Sequence, residues 1–281
     1  MTVQQFDPRI LTVELQFEDQ SLVFSGPMYL KVQGSKTIAT LQNTATVTIG
    51  NLTKAHRDYI MSNCNQVLQS NFQVRKVKVS AGRKSSGSWQ VFEGDIISAN
   101  LTQPPDIMIM LRCATSARDR TQWWTYSNQS EATLEQIAGD FAKIVNLNLQ
   151  IDPAVNKSAT VPRFTFNGQP MGMLVRIAEM FKVKVYTDDD ILVIKPEKEA
   201  LSNQIAEVSS SSGMIGIPEF TEYGIRVKTL ADKSIRLGGA MRLNSTMVPV
   251  MNADYVITRL DYDLTTRDTA FYYDVWANRS G

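Results

Sequence analysis

The sequence predicts a mainly β protein with an inserted α+β module: two β-barrel domains flanking a small β-α-β-β-α-β domain. Three observations carry this. Apolar and polar residues alternate near both ends of the chain, the period of a half-buried strand. In the middle the period lengthens to that of a helix, and one apolar pattern occurs twice there. A polar Ser/Gly run then precedes the second alternating region. With 281 residues and 31.5 kDa, the chain is long enough for two or three such units.

Residues 1–116 read as the first β domain. Leu11, Val13, Leu15 and Phe17 alternate with Thr12, Glu14 and Gln16, and Ala45, Val47 and Ile49 with Thr44, Thr46 and Thr48. Val77 and Val79 alternate with Lys76 and Lys78, and Ile107, Ile109, Leu111 and Cys113 repeat the period. Gly26-Pro27, Gly34-Ser35, Gly50-Asn51 and Gly82–Gly87 supply turn chemistry between these runs. One helix interrupts them, with Thr53 as N-cap and Ala55, Tyr59, Ile60 and Val67 as its apolar stripe.

Residues 117–197 read as the inserted module. Leu134, Ile137, Ala138 and Phe141 return 40 residues on as Leu174, Ile177, Ala178 and Phe181, so each copy lays an apolar stripe on one helix. The first helix is followed by Leu147, Leu149 and Ile151, closed by Asp152-Pro153. After the second come Val183 and Val185, a turn at Asp188–Asp190 with solvated charges, and the strand Ile191–Ile194. Gln122–Tyr126 and Arg163–Phe166, the latter ending in the turn Asn167-Gly168, are the strands leading into the helices, and both helices are expected to cover one sheet.

Residues 198–213, ending in Ser209–Gly213, have the makeup of a linker. Residues 214–281 read as the second β domain, with alternation at Ile225, Val227 and Thr229, at Met241 and Leu243, through Tyr255–Leu264, and at Phe271, Tyr273 and Val275. Both β domains close on a long hairpin, Asp95–Ala114 in the first and Asp254–Ala277 in the second.

Composition removes whole classes of function. The 29 basic and 28 acidic side chains leave a net charge of +1, which gives no chain-wide grip on nucleic acid or anionic lipid. No apolar run is long enough to span a membrane, and Met1–Ile10 lacks an export signal, so a cytoplasmic site of synthesis is expected. Cys64 and Cys113 lack metal-ligand spacing and read as core residues of a reduced chain. His56 is the single histidine, with no nucleophile elbow to serve, and phosphate-cradling glycine loops are missing. Asp188–Asp190 lacks the Gly and Glu of a calcium loop, and Gly238-Gly239 reads as a bulge or turn. Glu93 and Asp95, two apart on one strand, are the carboxylate pair a lytic activity would use. No catalytic residue, cofactor or metal is therefore expected.

Two features are candidates for an interface or a lumen. Arg75, Lys76, Lys78, Arg83 and Lys84 concentrate basic charge around a hairpin tip, suited to an acidic partner or to passing DNA. Trp123 and Trp124 are adjacent on a strand, so both cannot face one core, and one is free to cap a contact between domains or subunits.

Val91–Ala99, Pro104–Ile107, Leu111–Cys113, Gly213–Phe220, Arg236–Gly239 and the closing Tyr255–Leu264 hairpin together resemble the baseplate hub proteins of tailed bacteriophages. Arg163–Pro170, Leu174–Phe181, Val183–Val185 and Asp190–Ile194 resemble the small module at the N-termini of secretins. The hub resemblance implies two tube-like barrels per chain and a homotrimer, a ring matching a hexameric tail tube to a trimeric spike around the DNA channel. Its implied partners are the tail tube protein, the spike or tail-tip protein, other baseplate proteins and, transiently, phage DNA. The implied location is the virion tail, after assembly in the host cytoplasm. A hub that also degrades peptidoglycan and a secretion-system ring component are the alternatives.

Overall fold

The computed structural model describes residues 7–38, 42–65, 75–115, 123–128, 130–201 and 205–280. Val67 and Gln122, used in the sequence argument, lie outside them. The first region folds as β1 (Arg9–Gln16), β2 (Ser21–Ser25), β3 (Leu30–Thr37), β4 (Thr44–Ile49), α1 (Lys54–Cys64), β5 (Lys76–Arg83), β6 (Gly87–Leu101) and β7 (Ile109–Ala114). Alternation sets which side chains go inward: Leu11, Val13 and Leu15 on β1, Ala45, Val47 and Ile49 on β4, and Val77 and Val79 on β5 are all buried. Thr53 caps α1, its Oγ1 accepting from the His56 backbone N–H, but only Ile60 and Cys64 of that helix are buried.

The last region supplies β15 (Ala206–Ser209), β16 (Met214–Thr221), β17 (Gly224–Leu230), β18 (Ala240–Asn244), β19 (Asp254–Thr265) and β20 (Phe271–Arg279). Two separate closed barrels are not what forms. A single 13-stranded sheet runs in the order β16-β17-β20-β19-β3-β4-β7-β6-β5-β1-β2, with β18 branching from β19 and β15 from β18. The join is an antiparallel ladder between β3 and β19, from Lys31 opposite Thr265 to Thr37 opposite Arg259. One apolar core accordingly takes Leu15, Val47 and Val79 from the first region and Val227, Tyr262 and Val275 from the last.

The sheet curls on itself. Trp89 on β6 donates its indole N–H to the Tyr273 hydroxyl on β20 at 3.1 Å, although five strand-to-strand steps separate those strands in sheet order. Arg9 of β1 donates to the carbonyls of Asp268 and Thr269 in the β19–β20 turn. Even so, among the described residues no ladder closes the ring, and β2 and β16 remain as edges.

Two sequence expectations fail here for identifiable reasons. Gly34-Ser35 is not a turn but the middle of β3. A Cβ at Gly34 would collide with the Tyr262 ring and the Thr44 carbonyl, so the glycine permits close packing on both neighbouring strands. The expected linker contains β15, with Ala206 and Val208 buried, and its serines form a hydrogen-bonded turn in which Ser212 Oγ donates to the Glu207 carbonyl.

Between these regions lie β8 (Trp124–Ser127), β9 (Glu131–Thr133), α2 (Leu134–Ile144), β10 (Asn148–Ile151), β11 (Thr160–Pro162), β12 (Thr165–Gly168), α3 (Pro170–Phe181), β13 (Val183–Asp188) and β14 (Ile191–Pro196). The strands divide into a three-stranded sheet β10-β14-β13 and two ribbons, β8 with β12 and β9 with β11, rather than one sheet. Asn167-Gly168 belongs to the β8–β12 ladder instead of a turn. Both helices nevertheless reach the three-stranded sheet, α2 against β10 and α3 against β13. The first stripe is wholly buried; in the second, Leu174 and Ile177 are buried while Ala178 and Phe181 are half-exposed, Met173 completing the apolar face. Thr133 and Gln136 form a reciprocal capping box at the start of α2.

Candidate functional site

The face of the sheet turned away from the core is mostly polar across both regions, with Ile97, Phe220 and Leu230 among its exposed apolar exceptions. Strand alternation places Arg226 and Lys228 of β17 beside Trp276 and Asp274 of β20, and these beside Arg259 and Asp261 of β19. Ser35 of β3 lies opposite Asp261, and Thr44 of β4 opposite Ser35. Farther along, Thr46 faces Arg112 of β7, Asp95 of β6 faces Lys76 of β5, and Lys76 faces Gln16 of β1. Gln33 bridges β3 to β19, its Nε2 donating to Asp263 Oδ2 at 2.9 Å.

On β17, β20 and β19 this face is cross-linked by charge. Arg226 reaches Asp274 at 3.1 Å and Glu219 of β16 at 3.6 Å, while Lys228 reaches Asp274 at 3.7 Å. Arg259 pairs with Asp261 at 2.8 Å. Trp276 is held between two guanidiniums, Arg226 at 5.1 Å and Arg259 at 4.6 Å from its ring centre, and Lys228 lies 4.3 Å from the Tyr272 ring centre.

The basic cluster picked out from sequence is not one exposed finger. Arg75 is buried, and Lys78 pairs with Glu93 at 3.3 Å. Arg83 lies over the Phe271 ring at 5.8 Å and donates to the Asp7 carbonyl. Lys76 is half-buried, leaving Lys84 exposed at the tip. The strand period and the irregularity between Val79 and Ser80 scatter these side chains. The two tryptophans do separate: Trp124 packs on Phe141 at 5.7 Å, while Trp123 is 72% exposed, its indole N–H donating to Asn167 Oδ1.

Asp188–Asp190 is not a solvated turn. Lys36 points inward from β3, its ammonium donating to Asp188 Oδ1 at 2.7 Å and Asp189 Oδ2 at 2.8 Å, with Lys36 and Asp189 both buried. Burial pushes the Asp189 carboxyl up to about 7 against the pull of Lys36, and neighbouring Asp188 adds to the rise. Burial also opposes the Lys36 charge, but the two carboxylates outweigh it and hold its pKa above the ordinary lysine value. Nearby, Asn43 Nδ2 donates to the Thr187 carbonyl and Tyr186 to the Leu237 carbonyl. A Cβ on Gly238, which has φ +74°, would collide with the Tyr186 hydroxyl. The middle segment is thus docked on the ladder that joins the two regions. The signal was present in the sequence: Val32, Gly34 and Lys36 share one strand face, which sets a lysine on the apolar side.

Among the described residues, the side chains considered for catalysis lie apart from one another. Glu93 is engaged by Lys78, His56 is exposed on α1, and Cys64 and Cys113 are buried thiols, with Cys64 pushed up to about 12 chiefly by burial. Among the described residues, no group of three His, Cys, Asp or Glu side chains is placed to hold a metal. No helix among them is long and apolar enough to cross a membrane.

A curled mixed sheet with a docked α+β segment is a fold of phage-type tail proteins. A Neisseria meningitidis tail protein matches with TM-score 0.65 at 9% identity, over 96% of this chain and 97% of that one. The 43 kDa tail protein of prophage MuSo2 from Shewanella oneidensis matches with TM-score 0.63 at 10% identity, over 95% and 96%. A third match, at TM-score 0.58 and 9% identity over 95% and 77%, is an Escherichia coli type VI secretion component described as similar to phage T4 tail proteins gp27 and gp5. At these identities the likeness is one of fold. The family model for baseplate hub gp41 matches residues 10–277, and the chain belongs to that family, as a structural component of the phage tail. That match runs through the middle segment, whose resemblance to secretin modules rests on its sequence motifs alone. No curated protein matches by sequence.

Proposed function

We propose that the chain assembles as a homotrimeric ring that adapts a hexameric tail tube to a trimeric spike, with the polar face of its sheet lining the DNA channel. The observation that carries this reading is the unbroken sheet. It is apolar on one face, mostly polar on the other, and formed from two regions that each end in a long hairpin, β6–β7 and β19–β20. Three chains then present six comparable hairpins, and edge strands β2 and β16 are available to neighbouring subunits. Trp123 and Lys84, both exposed, are the candidates for subunit contacts that lie most open to solvent. The tail tube, spike and other baseplate proteins are the partners, and the host cytoplasm is where the ring is built. Light scattering on the purified chain tests the reading: a mass three times that of one chain is expected, and a monomer at every accessible concentration overturns it.

A further inference from the structure

The outward patch on β17, β20 and β19 holds three cations, Arg226, Lys228 and Arg259, against three carboxylates, Glu219, Asp274 and Asp261. The cations are between about a third and a half exposed, so they could reach a polyanion. Their geometry directs them along the sheet instead. Each lies within 4 Å of a carboxylate on its own or a neighbouring strand, and each also sits over an aromatic ring, Trp276 or Tyr272. Asp261 and Asp274 face each other directly in the ladder, a like-charge juxtaposition that costs energy unless cations flank it. The bidentate Arg259–Asp261 pair and the Arg226–Asp274–Lys228 network offset that repulsion, and the network ties the strands together. The arrangement also cancels, site by site, the attraction that arginines and lysines would exert on phosphates.

We infer that this patch is a self-screened wall, over which duplex DNA passes without being captured, and that Asp261 and Asp274 are its screening residues. The inference rests on the channel reading above and names the property the channel wall needs. Binding of a short mixed-sequence duplex is measured for the wild-type chain and for Asp261→Asn/Asp274→Asn, at salt from 50 to 200 mM. Removing two screening charges adds about two phosphate contacts, and with a slope of about −0.9 per contact the variant should lose roughly tenfold more affinity than wild type across that range. Adding Arg259→Gln to the double variant should reduce that excess to roughly threefold. Asp261→Asn alone provides the same test, at half the effect, should the double variant fail to fold. A folded variant with no gain in salt-dependent binding overturns the inference. In phage particles carrying the double variant, genome ejection should slow. Unchanged ejection, alongside the gain in binding, would instead overturn the placement of this face in the channel.

Discussion

Asp189 is held 2.8 Å from the Lys36 ammonium, which it shares with Asp188, so two carboxylates meet one cation where water is nearly excluded. With its carboxyl raised to about 7 from an ordinary value of 3.8, folded protein holds a proton there that unfolded chain has released. The stabilisation is therefore complete below the unfolded value and is lost as pH rises towards 7. A tenfold difference in proton affinity between folded and unfolded chain is worth ~1.4 kcal/mol, so from pH 5 to 7 the loss is a few kcal/mol at most. Urea unfolding at those two pH values should show it in wild type, and Asp189→Asn should flatten it. Lys195, lowered to about 8 mainly by burial, titrates above that window. Lys36→Met leaves both carboxylates without their cation and should cost about 3–5 kcal/mol by the same measurement. Periodicity could place Lys36 on the inward side of β3, but its partners lie 152 and 153 residues away, and no local pattern specifies such a pairing.

Among the elements, those the sequence announced were the ones whose structure is set locally. The α2 stripe of Leu134, Ile137, Ala138 and Phe141 is buried in full, and Thr133 caps that helix with Gln136 answering it. Thr133→Ala should lower stability by ~1 kcal/mol, read as a shift in the urea midpoint. Elements defined by neighbours were harder to read. Gly34 resembles a turn residue until the Tyr262 ring beside it is known, and β15 resembles a linker until Met241 and Leu243 of β18 lie alongside Ala206 and Val208. The scattering of the basic cluster was hidden for a related reason. Composition counts charges, whereas the pairing of Lys78 with Glu93 and the stacking of Arg83 on Phe271 depend on ladder and curl. Lys84, exposed at the hairpin tip, is the clean probe of a subunit contact. In the proposed trimer, Lys84→Glu should lower the trimer fraction in light scattering while leaving the melting temperature within a degree or so, since exposed substitutions usually change stability little.

At the scale of the molecule, alternation correctly announced strands near both ends of the chain but could not reveal that they form one sheet. Strand pairing over more than 200 residues leaves no trace in either segment's own pattern, because β3 and β19 each look like any half-buried strand. That ladder has a consequence for how the protein is made. As the chain leaves the ribosome, the partner for the free edge of β3 emerges only after the whole of the middle segment has been made. Until then the first region must carry an open strand edge and an incomplete core, the condition under which nascent chains stick to one another. The middle segment, emerging in between, brings Asp188 and Asp189 to the inward-pointing ammonium of Lys36 on that strand.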